Sequence, residues 1–117
     1  MTKVYLAEDD ETMVTLLVTL LTIEGFEAKV IDLAKGNLLD ILRAEPPNIL
    51  ILDVNLPGES GLDIVRKMRE EDTFKNTRVV MASGMSLKDE CLASGADDFL
   101  MKPYMPDDLI QILRRYT

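Results

Sequence analysis

Histidine is absent from this chain of 117 residues. Without it the chain can form neither a serine–histidine–aspartate triad nor a histidine-ligated metal site, and it cannot carry a phosphohistidine. There is one cysteine, Cys91, so no internal disulfide can form, which fits a reducing compartment. We interpret Cys91 as a packing residue, since free thiols are common in protein cores.

Basic residues and long apolar runs are also scarce. The chain has 13 Lys and Arg against 21 Asp and Glu, a formal net charge of −8, so we expect no direct nucleic-acid binding by this domain. The most apolar stretch, residues 16–23, contains Thr19 and Thr22 and is too short to span a bilayer. Residues 1–7 hold one lysine and run into acidic residues, unlike a signal peptide. These features favour a cytoplasmic protein without membrane association.

The length and composition are those of one globular domain, and we assign residues 1–117 to it. Five short apolar runs predict strands at residues 4–7, 28–31, 49–52, 79–82 and 99–101. Helical periodicity follows each of them, at residues 13–21 with Gly25 as the stop, 34–44, 62–68, 86–94 and 109–116. This alternation predicts an α/β fold with a doubly wound, five-stranded parallel sheet.

Polar side chains follow four of the predicted strands. They comprise Glu8-Asp9-Asp10-Glu11 after the first, Asp53-Val54-Asn55 after the third, Ser83-Gly84 after the fourth and Lys102-Pro103 after the fifth. In doubly wound sheets the functional crevice lies beyond the carboxyl ends of the strands. The sequence therefore predicts one functional site, at this edge of the sheet.

The carboxylates predict a magnesium site. Asp9 and Asp53 would repel each other by roughly 4 kcal/mol if ~4 Å apart at an effective dielectric constant near 20. A divalent cation removes this penalty, and oxygen ligands without His or Cys favour Mg²⁺ over zinc. Asp10 and Glu11 fit equally well as capping residues of the first helix, whereas a cap alone does not explain Glu8 and Asp9 opposite Asp53.

Lys102, Ser83 and Gly84 fit a site for an anion. The ammonium of Lys102 leaves two negative charges in excess among Glu8, Asp9, Asp53 and Lys102, which one Mg²⁺ would cancel. Ser83 fits either an ordinary loop hydroxyl or a hydrogen-bond donor to a phosphoryl oxygen, but not a serine nucleophile, because it has no base. Gly84 leaves room for an oxygen-rich group at its amide.

The set of motifs resembles the receiver domain of bacterial two-component response regulators. The resemblance covers essentially the whole chain and rests on the segments Leu6–Glu11, Asp53–Gly61, Gly95–Phe99 and Lys102-Pro103 together with Ser83. It implies a flavodoxin-like (βα)5 fold with strand order 2-1-3-4-5.

The resemblance also implies residue roles. Asp53 would be the phosphoacceptor, and the Mg²⁺ ligands would be Asp9, Asp53 and the main-chain carbonyl of Asn55, with Glu8 acting through water. Ser83 and Lys102 would bind the phosphoryl group, Ser83 moving on activation. Phe99 would be the aromatic side chain coupled to that motion; a Phe99 packed permanently in the core is the alternative. The Lys102–Pro103 peptide bond would be cis.

The function implied is a phosphorylation-dependent switch rather than an enzyme. A sensor histidine kinase or phosphotransfer protein would donate the phosphoryl group, and the domain would assist its own phosphorylation and dephosphorylation. The face formed by the fourth helix, fifth strand and fifth helix would then change and control an output domain or effector protein.

Two departures from the family pattern bear on regulation. Position 84, glycine here, is often alanine in the family. In the winged-helix output class, receivers form homodimers on activation through charged pairs of their last helices. Lys88 and Asp108 suit such a pair, but Ile112 stands where that class usually carries arginine, which counts against this mode of dimerisation.

Three other classes of protein share parts of this pattern. A haloacid-dehalogenase-type phosphatase needs a second acid two residues after its nucleophile, where Asn55 stands. A flavodoxin-like FMN carrier needs a first loop that accepts phosphate, and Glu8, Asp9 and Asp10 would repel it. The remaining alternative is a receiver-like interaction module that is not phosphorylated; such modules usually lack the acceptor or the lysine, and this chain has both.

Overall fold

The computed structural model describes residues 1–117, and its centre is a parallel five-stranded sheet. The strands are β1 (Lys3–Ala7), β2 (Glu27–Val30), β3 (Ile49–Asp53), β4 (Arg78–Ser83) and β5 (Asp98–Met101). Their spatial order is β2-β1-β3-β4-β5. The predicted doubly wound α/β fold and its strand order are confirmed.

Five helices connect and flank these strands. They are α1 (Glu11–Ile23), α2 (Leu38–Ala44), α3 (Gly61–Arg69), α4 (Lys88–Ser94) and α5 (Pro106–Arg115). The Asp10 side chain accepts a hydrogen bond from the Met13 amide at 3.1 Å, so the prediction that this residue caps the first helix is confirmed. None of the five helices has both the length and the apolar character needed to cross a membrane.

The helices bury two apolar layers, one on each face of the sheet. Helices α2, α3 and α4 cover one layer, which includes Leu52, Val65 and Cys91. Helices α1 and α5 cover the other, which includes Leu17 and Leu109. Neighbouring residues of a strand point to opposite faces of the sheet. Because helices cover both faces, every residue of β3 is buried, as its continuous apolar run predicted. Cys91 is fully buried, and the prediction that it packs in the core is confirmed.

Three details differ from the sequence prediction. Helix α2 begins at Leu38 rather than near residue 34, because the Asn37 side chain caps it by accepting from the Leu39 amide at 2.9 Å. Leu16, assigned to the apolar face of α1, is 52% exposed, because Leu17 and Leu21 face the sheet. Two-residue strands at Asn55–Leu56 and Glu59–Ser60 form an additional hairpin after β3.

Ile112 belongs to the buried face of α5. It is 7% exposed and packs in the layer that α1 and α5 cover. The apolar periodicity of residues 109–116 places Ile112 on the inner face of the last helix, and that prediction is confirmed. Lys88 and Asp108 are exposed, and their role in a dimer stays a prediction.

A charge cluster closes the amino-terminal edge of β4 and β5. The guanidinium of Arg69, at the end of α3, donates to the carbonyls of Gly95 (2.8 Å) and Phe74 (2.9 Å) and to Asp97 Oδ2 (3.0 Å). The same Asp97 oxygen accepts from the Val79 amide at 2.8 Å. One arginine and one aspartate thus hold together the ends of α3, α4, β4 and β5.

The end of α5 joins the same cluster. Asp98 Oδ2 accepts from Arg115 Nη1 at 3.0 Å, and the Tyr116 hydroxyl donates to the Asp97 carbonyl at 3.1 Å. Arg78 adds a longer contact to Asp97 Oδ1 at 3.4 Å. Three arginines therefore neutralise two aspartates here, and each carboxylate has protein partners. This is the arrangement expected of a structural network.

Candidate functional site

Three strand ends place the candidate site residues at the opposite, carboxyl-terminal edge of the sheet. Glu8 and Asp9 follow β1, Asp53 ends β3, and Lys102 follows β5. Pairing of Ala7 with Leu52 and of Asp53 with Ala82 brings these ends level with one another. The parallel sheet therefore positions residues that are far apart in sequence, as the sequence predicted.

Three carboxylates crowd together at this edge. One oxygen each from Glu8, Asp9 and Asp53 lies within 4.8 Å of the others. The side chains of Glu8 and Asp53 are only 7% and 9% exposed, while Asp9 is exposed to solvent. Such a set of oxygen donors, without nitrogen or sulfur, has the chemistry that Mg²⁺ prefers.

Lys102 is the cation facing these acids. Its Nζ donates to Glu8 Oε2 at 2.6 Å and to Asp53 Oδ2 at 3.0 Å. The following peptide bond, Lys102–Pro103, is cis, as the family resemblance implied. Lys102 thus pairs with two of the three carboxylates and is the one cation beside them, so the site has an excess of negative charge.

Burial and charge shift the pKa values of two groups here. Burial raises the pKa of Glu8 above its usual value, and the hydrogen bond from Lys102 only partly offsets this effect. Burial acts to lower the pKa of Lys102, but its hydrogen bonds to Glu8 and Asp53 outweigh burial, and the net shift is upward. Lys102 is therefore firmly protonated at neutral pH, with two acceptors for its protons.

The backbone around Asp53 is tightly fixed. Asp53 Oδ1 accepts from the Asn55 amide at 3.1 Å, and the Val54 carbonyl accepts from the Gly61 amide at 2.7 Å. A Cβ atom at position 61 would lie 2.4 Å from the Asp53 carbonyl oxygen. Only glycine fits there, because any side chain would push against main-chain atoms. Gly61 ends one of the segments that resemble the receiver family, but no role was predicted for it. The periodicity of apolar residues carries no information about a close contact between main-chain atoms.

Ser83 and Gly84 lie next to the acidic cluster, at the end of β4. Ser83 is 1% exposed, and its Oγ accepts from the Met85 amide at 3.1 Å rather than bonding Asp53. Gly84 is exposed, and a Cβ added there would meet no atom within 4 Å. Glycine is therefore not required at position 84, because the space that a side chain would occupy there is open.

Phe99 lies one strand residue beyond Asp98, two positions before the end of β5. It is half-buried and packs against the apolar layer under α4. It is thus neither fully enclosed nor free in solvent. The role of Phe99 in a switch stays a prediction.

A groove opens beside the acidic cluster. Its volume is about 770 Å³, and it runs between α1 and the segment that follows β2. Glu8 and Asp9 line one end, and Ile31 and Leu33 line the other. The groove reaches Glu8 and Asp9, and Asp53 does not line it.

Comparisons with known proteins agree with this geometry. The model of the response regulator receiver domain matches residues 4–114. The sensory transduction protein RegX3 of Mycobacterium tuberculosis is 36% identical over 114 residues, covering 97% of this chain and 50% of that protein. The phosphate regulon transcriptional regulatory protein PhoB of Rhizobium meliloti is 34% identical over 112 residues, covering 92% of this chain and 48% of that protein.

Solved structures give the same result. The chemotaxis response regulator CheY4 of Vibrio cholerae superposes with a TM-score of 0.89 at 26% identity, covering 100% of this chain and 99% of that one. The chain spans about half the length of the curated relatives that it matches. It belongs to the response regulator receiver domain family.

Proposed function

We propose that this chain is a phosphorylation-dependent switch in two-component signalling, with Asp53 as the phosphoacceptor. One observation carries the proposal: the buried Asp53 carboxylate lies 3.0 Å from the Lys102 ammonium and shares its edge of the sheet with Glu8 and Asp9. An acceptor carboxylate, a cation for the phosphoryl oxygens and a set of acidic ligands are the parts that phosphoryl transfer to aspartate requires.

The transfer forms one bond and breaks one. A carboxylate oxygen of Asp53 attacks the phosphorus of a phosphohistidine on a partner kinase or phosphotransfer protein. The P–N bond breaks, the imidazole nitrogen keeps the bonding electron pair, and a P–O bond to Asp53 forms. The histidine must come from the partner, because this chain contains none. The Lys102 ammonium then pairs with the phosphoryl oxygens in place of the Asp53 oxygen that it holds now.

The carboxylates fit magnesium. Asp9, Asp53 and the main-chain carbonyl of Asn55 would hold the ion, and Glu8 would act through water. When bound, Mg²⁺ supplies the positive charge that lets a phosphoryl group approach an acidic site. The exposed position of Asp9 and the open groove beside it leave room for both ion and donor.

The output is a change in the face formed by α4, β5 and α5. Ser83 Oγ now accepts from the Met85 amide, and its hydroxyl would turn to the new phosphoryl oxygens. The half-buried Phe99 would take up the space that this movement vacates. The recipient of the signal is an output domain or effector protein, in keeping with relatives about twice as long whose names describe transcriptional regulation.

The protein acts in this proposal as a substrate-like acceptor in the cytoplasm, where sensor kinases present their phosphohistidine. It is not a turnover enzyme, although its own residues assist both phosphorylation and hydrolysis of the acyl phosphate. The charge at the site would support hydrolysis as well as transfer, because Lys102 and a bound ion would stabilise the same phosphoryl oxygens in both reactions.

Acetyl phosphate provides the test. Wild-type protein incubated with acetyl phosphate and Mg²⁺ should gain the mass of one phosphoryl group by intact mass spectrometry. Asp53→Asn should gain none. Asp10→Asn is the matched control, because asparagine preserves the cap of α1, and it should be modified like wild type.

Two results would contradict the proposal. If wild type gains no mass, the chain is a receiver-like interaction module without phosphorylation. If Asp53→Asn gains as much mass as wild type, another residue is the acceptor.

A further inference from the structure

The groove beside the acidic cluster has an apolar lining. Three segments build it, namely the start of α1, the loop that follows β2, and the hairpin that follows β3. Its volume of about 770 Å³ lies within the range of small-molecule sites, which is roughly 300–1,000 Å³. The apolar part of the lining consists of Val14, Val30, Ile31, Leu33, Ala34 and Pro57. These side chains would cover the apolar body of a bound molecule.

Main-chain hydrogen bonds fix the shape of this groove. Leu6 pairs with Val30 in the sheet, and the Ile31 amide donates to the Leu6 carbonyl at 2.9 Å. The loops after β1 and β2 therefore leave the sheet side by side. Asp32 Oδ1 then accepts from the Ala34 amide at 2.9 Å, which holds the second loop in a turn. Because the walls are held in this way, a ligand would bind with little rearrangement.

Every charged residue that lines the groove is acidic. The four are Glu8, Asp9, Glu11 and Asp32. Glu8 is neutralised by its ion pair with Lys102. The other three carboxylates form no ion pair with any lysine or arginine of the chain. The lining therefore repels anions and attracts cations.

Two of these carboxylates lie outside the proposed magnesium site. The sequence left open whether Asp10 and Glu11 only cap α1, and the structure shows that Asp10 is the cap. Glu11 is the first residue of the helix, and its carboxylate accepts no hydrogen bond within the chain. Asp32 uses one oxygen for the Ala34 amide and keeps the other unpaired. Both side chains are exposed and line the groove.

We propose that this groove binds an organic cation with an apolar body, such as a primary ammonium group on a short aliphatic chain. The ammonium group pairs with the carboxylates of Asp9 and Glu11, and the aliphatic chain covers Val30 and Leu33. Each part of the ligand thus matches one part of the lining. Charge-assisted hydrogen bonds hold the cationic end, and burial of apolar surface holds the rest.

Other occupants match this lining less well. A bare metal ion would leave the apolar walls in contact with water, and a neutral hydrocarbon would leave the carboxylates unpaired. A second copy of the chain would bring a net charge of −8 to an acidic surface. A segment of a partner protein matches only where a basic residue lies beside an apolar one, and the experiments below separate that case.

Asp9 links the groove to the proposed magnesium site. Its carboxylate lines the groove and also belongs to the cluster with Glu8 and Asp53. An ammonium group and Mg²⁺ therefore compete for Asp9, and each should weaken binding of the other by the same factor. This coupling rests on the proposed function, whereas binding of the amine does not.

Titration of the full chain with hexylammonium tests the proposal. In two-dimensional ¹H–¹⁵N NMR spectra, the amide signals of residues 9–15 and 30–34 should shift, and those of α5 should not. Methylammonium carries the charge without the apolar body and should bind at least about tenfold more weakly, because burial of two methylene groups already supplies this factor. Hexanol carries the body without the charge and should also bind at least about tenfold more weakly.

Two variants test the carboxylates. Glu11→Gln and Asp32→Asn each remove one charge at nearly constant size, and each should weaken hexylammonium binding by at least about threefold. Asp107→Asn is the matched control, because Asp107 is exposed at the start of α5 and its replacement removes the same charge from the chain. The control should bind like wild type. Circular dichroism establishes that all the variants are folded.

Further measurements separate this proposal from the proposed function. Asp53→Asn should lose phosphorylation by acetyl phosphate and keep hexylammonium binding, because Asp53 does not line the groove. Saturating Mg²⁺ should weaken hexylammonium binding in wild type but not in Asp9→Asn. Undiminished binding in wild type with Mg²⁺ would contradict the role of Asp9.

Three results would overturn the proposal. The first is shifts that spread over the whole chain and are equal for hexylammonium and methylammonium, which would show unspecific attraction to an acidic protein. The second is equal loss of binding in Asp107→Asn and in Glu11→Gln. The third is binding of a short peptide with lysine beside leucine but not of hexylammonium; the groove would then be a docking site for a partner protein.

Discussion

Charged side chains cluster at both edges of the sheet, but arginines outnumber aspartates at one edge and carboxylates outnumber lysine at the other. At the amino-terminal edge Asp97 and Asp98 meet three arginines, and the two aspartates have protein partners for their carboxylates. At the carboxyl-terminal edge Glu8, Asp9 and Asp53 cluster together, and the single ammonium of Lys102 pairs with Glu8 and Asp53.

The difference distinguishes charged residues that stabilise the fold from charged residues that are proposed to bind a ligand. In the first network each carboxylate already has an arginine partner, so the network holds α3, α5 and the strand ends in place. An unbalanced cluster keeps like charges close together at a cost, and that cost is removed only by an added cation. The first edge is complete within the protein, whereas the second keeps an excess of negative charge.

The largest loss of stability at the functional edge should come from a glycine rather than from a charged residue. Gly61→Ala would place a methyl group 2.4 Å from the Asp53 carbonyl oxygen. We expect the free energy of unfolding to fall by about 3 kcal/mol in urea titration. Gly84→Ala, which meets no atom within 4 Å, should change it by less than about 0.5 kcal/mol. Equal effects of the two replacements would contradict this prediction, because they would show that the main chain at Asp53 shifts to accommodate a methyl group at position 61.

Replacing one aspartate at each edge should give opposite outcomes. Asp97→Asn removes the charge that Arg69 and the Val79 amide share, and we expect a loss of about 2 kcal/mol in unfolding free energy with phosphorylation retained. Asp53→Asn relieves repulsion from Glu8 and Asp9 but also removes the ion pair with Lys102. Because these two effects oppose each other, stability should change by less than about 0.5 kcal/mol while phosphorylation is lost. A strongly destabilised Asp53→Asn would mean that this edge, too, is structural.

Magnesium should stabilise one edge only. At a concentration tenfold above its dissociation constant, Mg²⁺ should raise the unfolding free energy by about 1.4 kcal/mol, because it binds the folded state. Asp9→Asn should remove most of this gain, and Asp97→Asn should keep it. Calorimetric melting temperatures with and without Mg²⁺ provide the measurement. A gain that survives Asp9→Asn would place the ion elsewhere.

The last effect should appear only at alkaline pH and leave stability at neutral pH unchanged. Burial raises the pKa of Tyr104, beside Lys102, to about 12. Its neutral form is favoured by folding, so this contribution to stability is complete below the ordinary tyrosine pKa of about 10 and is lost as the pH rises towards 12. In an absorbance titration of phenolate, Tyr104→Phe should remove the last tyrosine to ionise. Tyr116, at the other edge, also has a raised pKa, and Tyr116→Phe should remove an earlier step.

The sequence predicted the contacts between residues that follow the carboxyl ends of parallel strands. It did not predict contacts that start from a helix end or that depend on the shape of the main chain. The strand order and the meeting of Asp9, Asp53 and Lys102 follow from parallel strands whose polar residues come at the same ends. Arg69 gave no signal, because its partner Asp97 lies 28 residues away on another element. On α1, five apolar residues outlined a helix without showing which side faces the sheet, so Leu16 was placed inside.

The main-chain amide of Lys102 donates to the carbonyl of Ser83 at 2.8 Å, which ties the end of β5 to the end of β4. The ammonium and the hydroxyl proposed to bind the phosphoryl group are therefore attached to main-chain segments that are hydrogen-bonded to each other, and the sheet itself sets the distance between their two points of attachment.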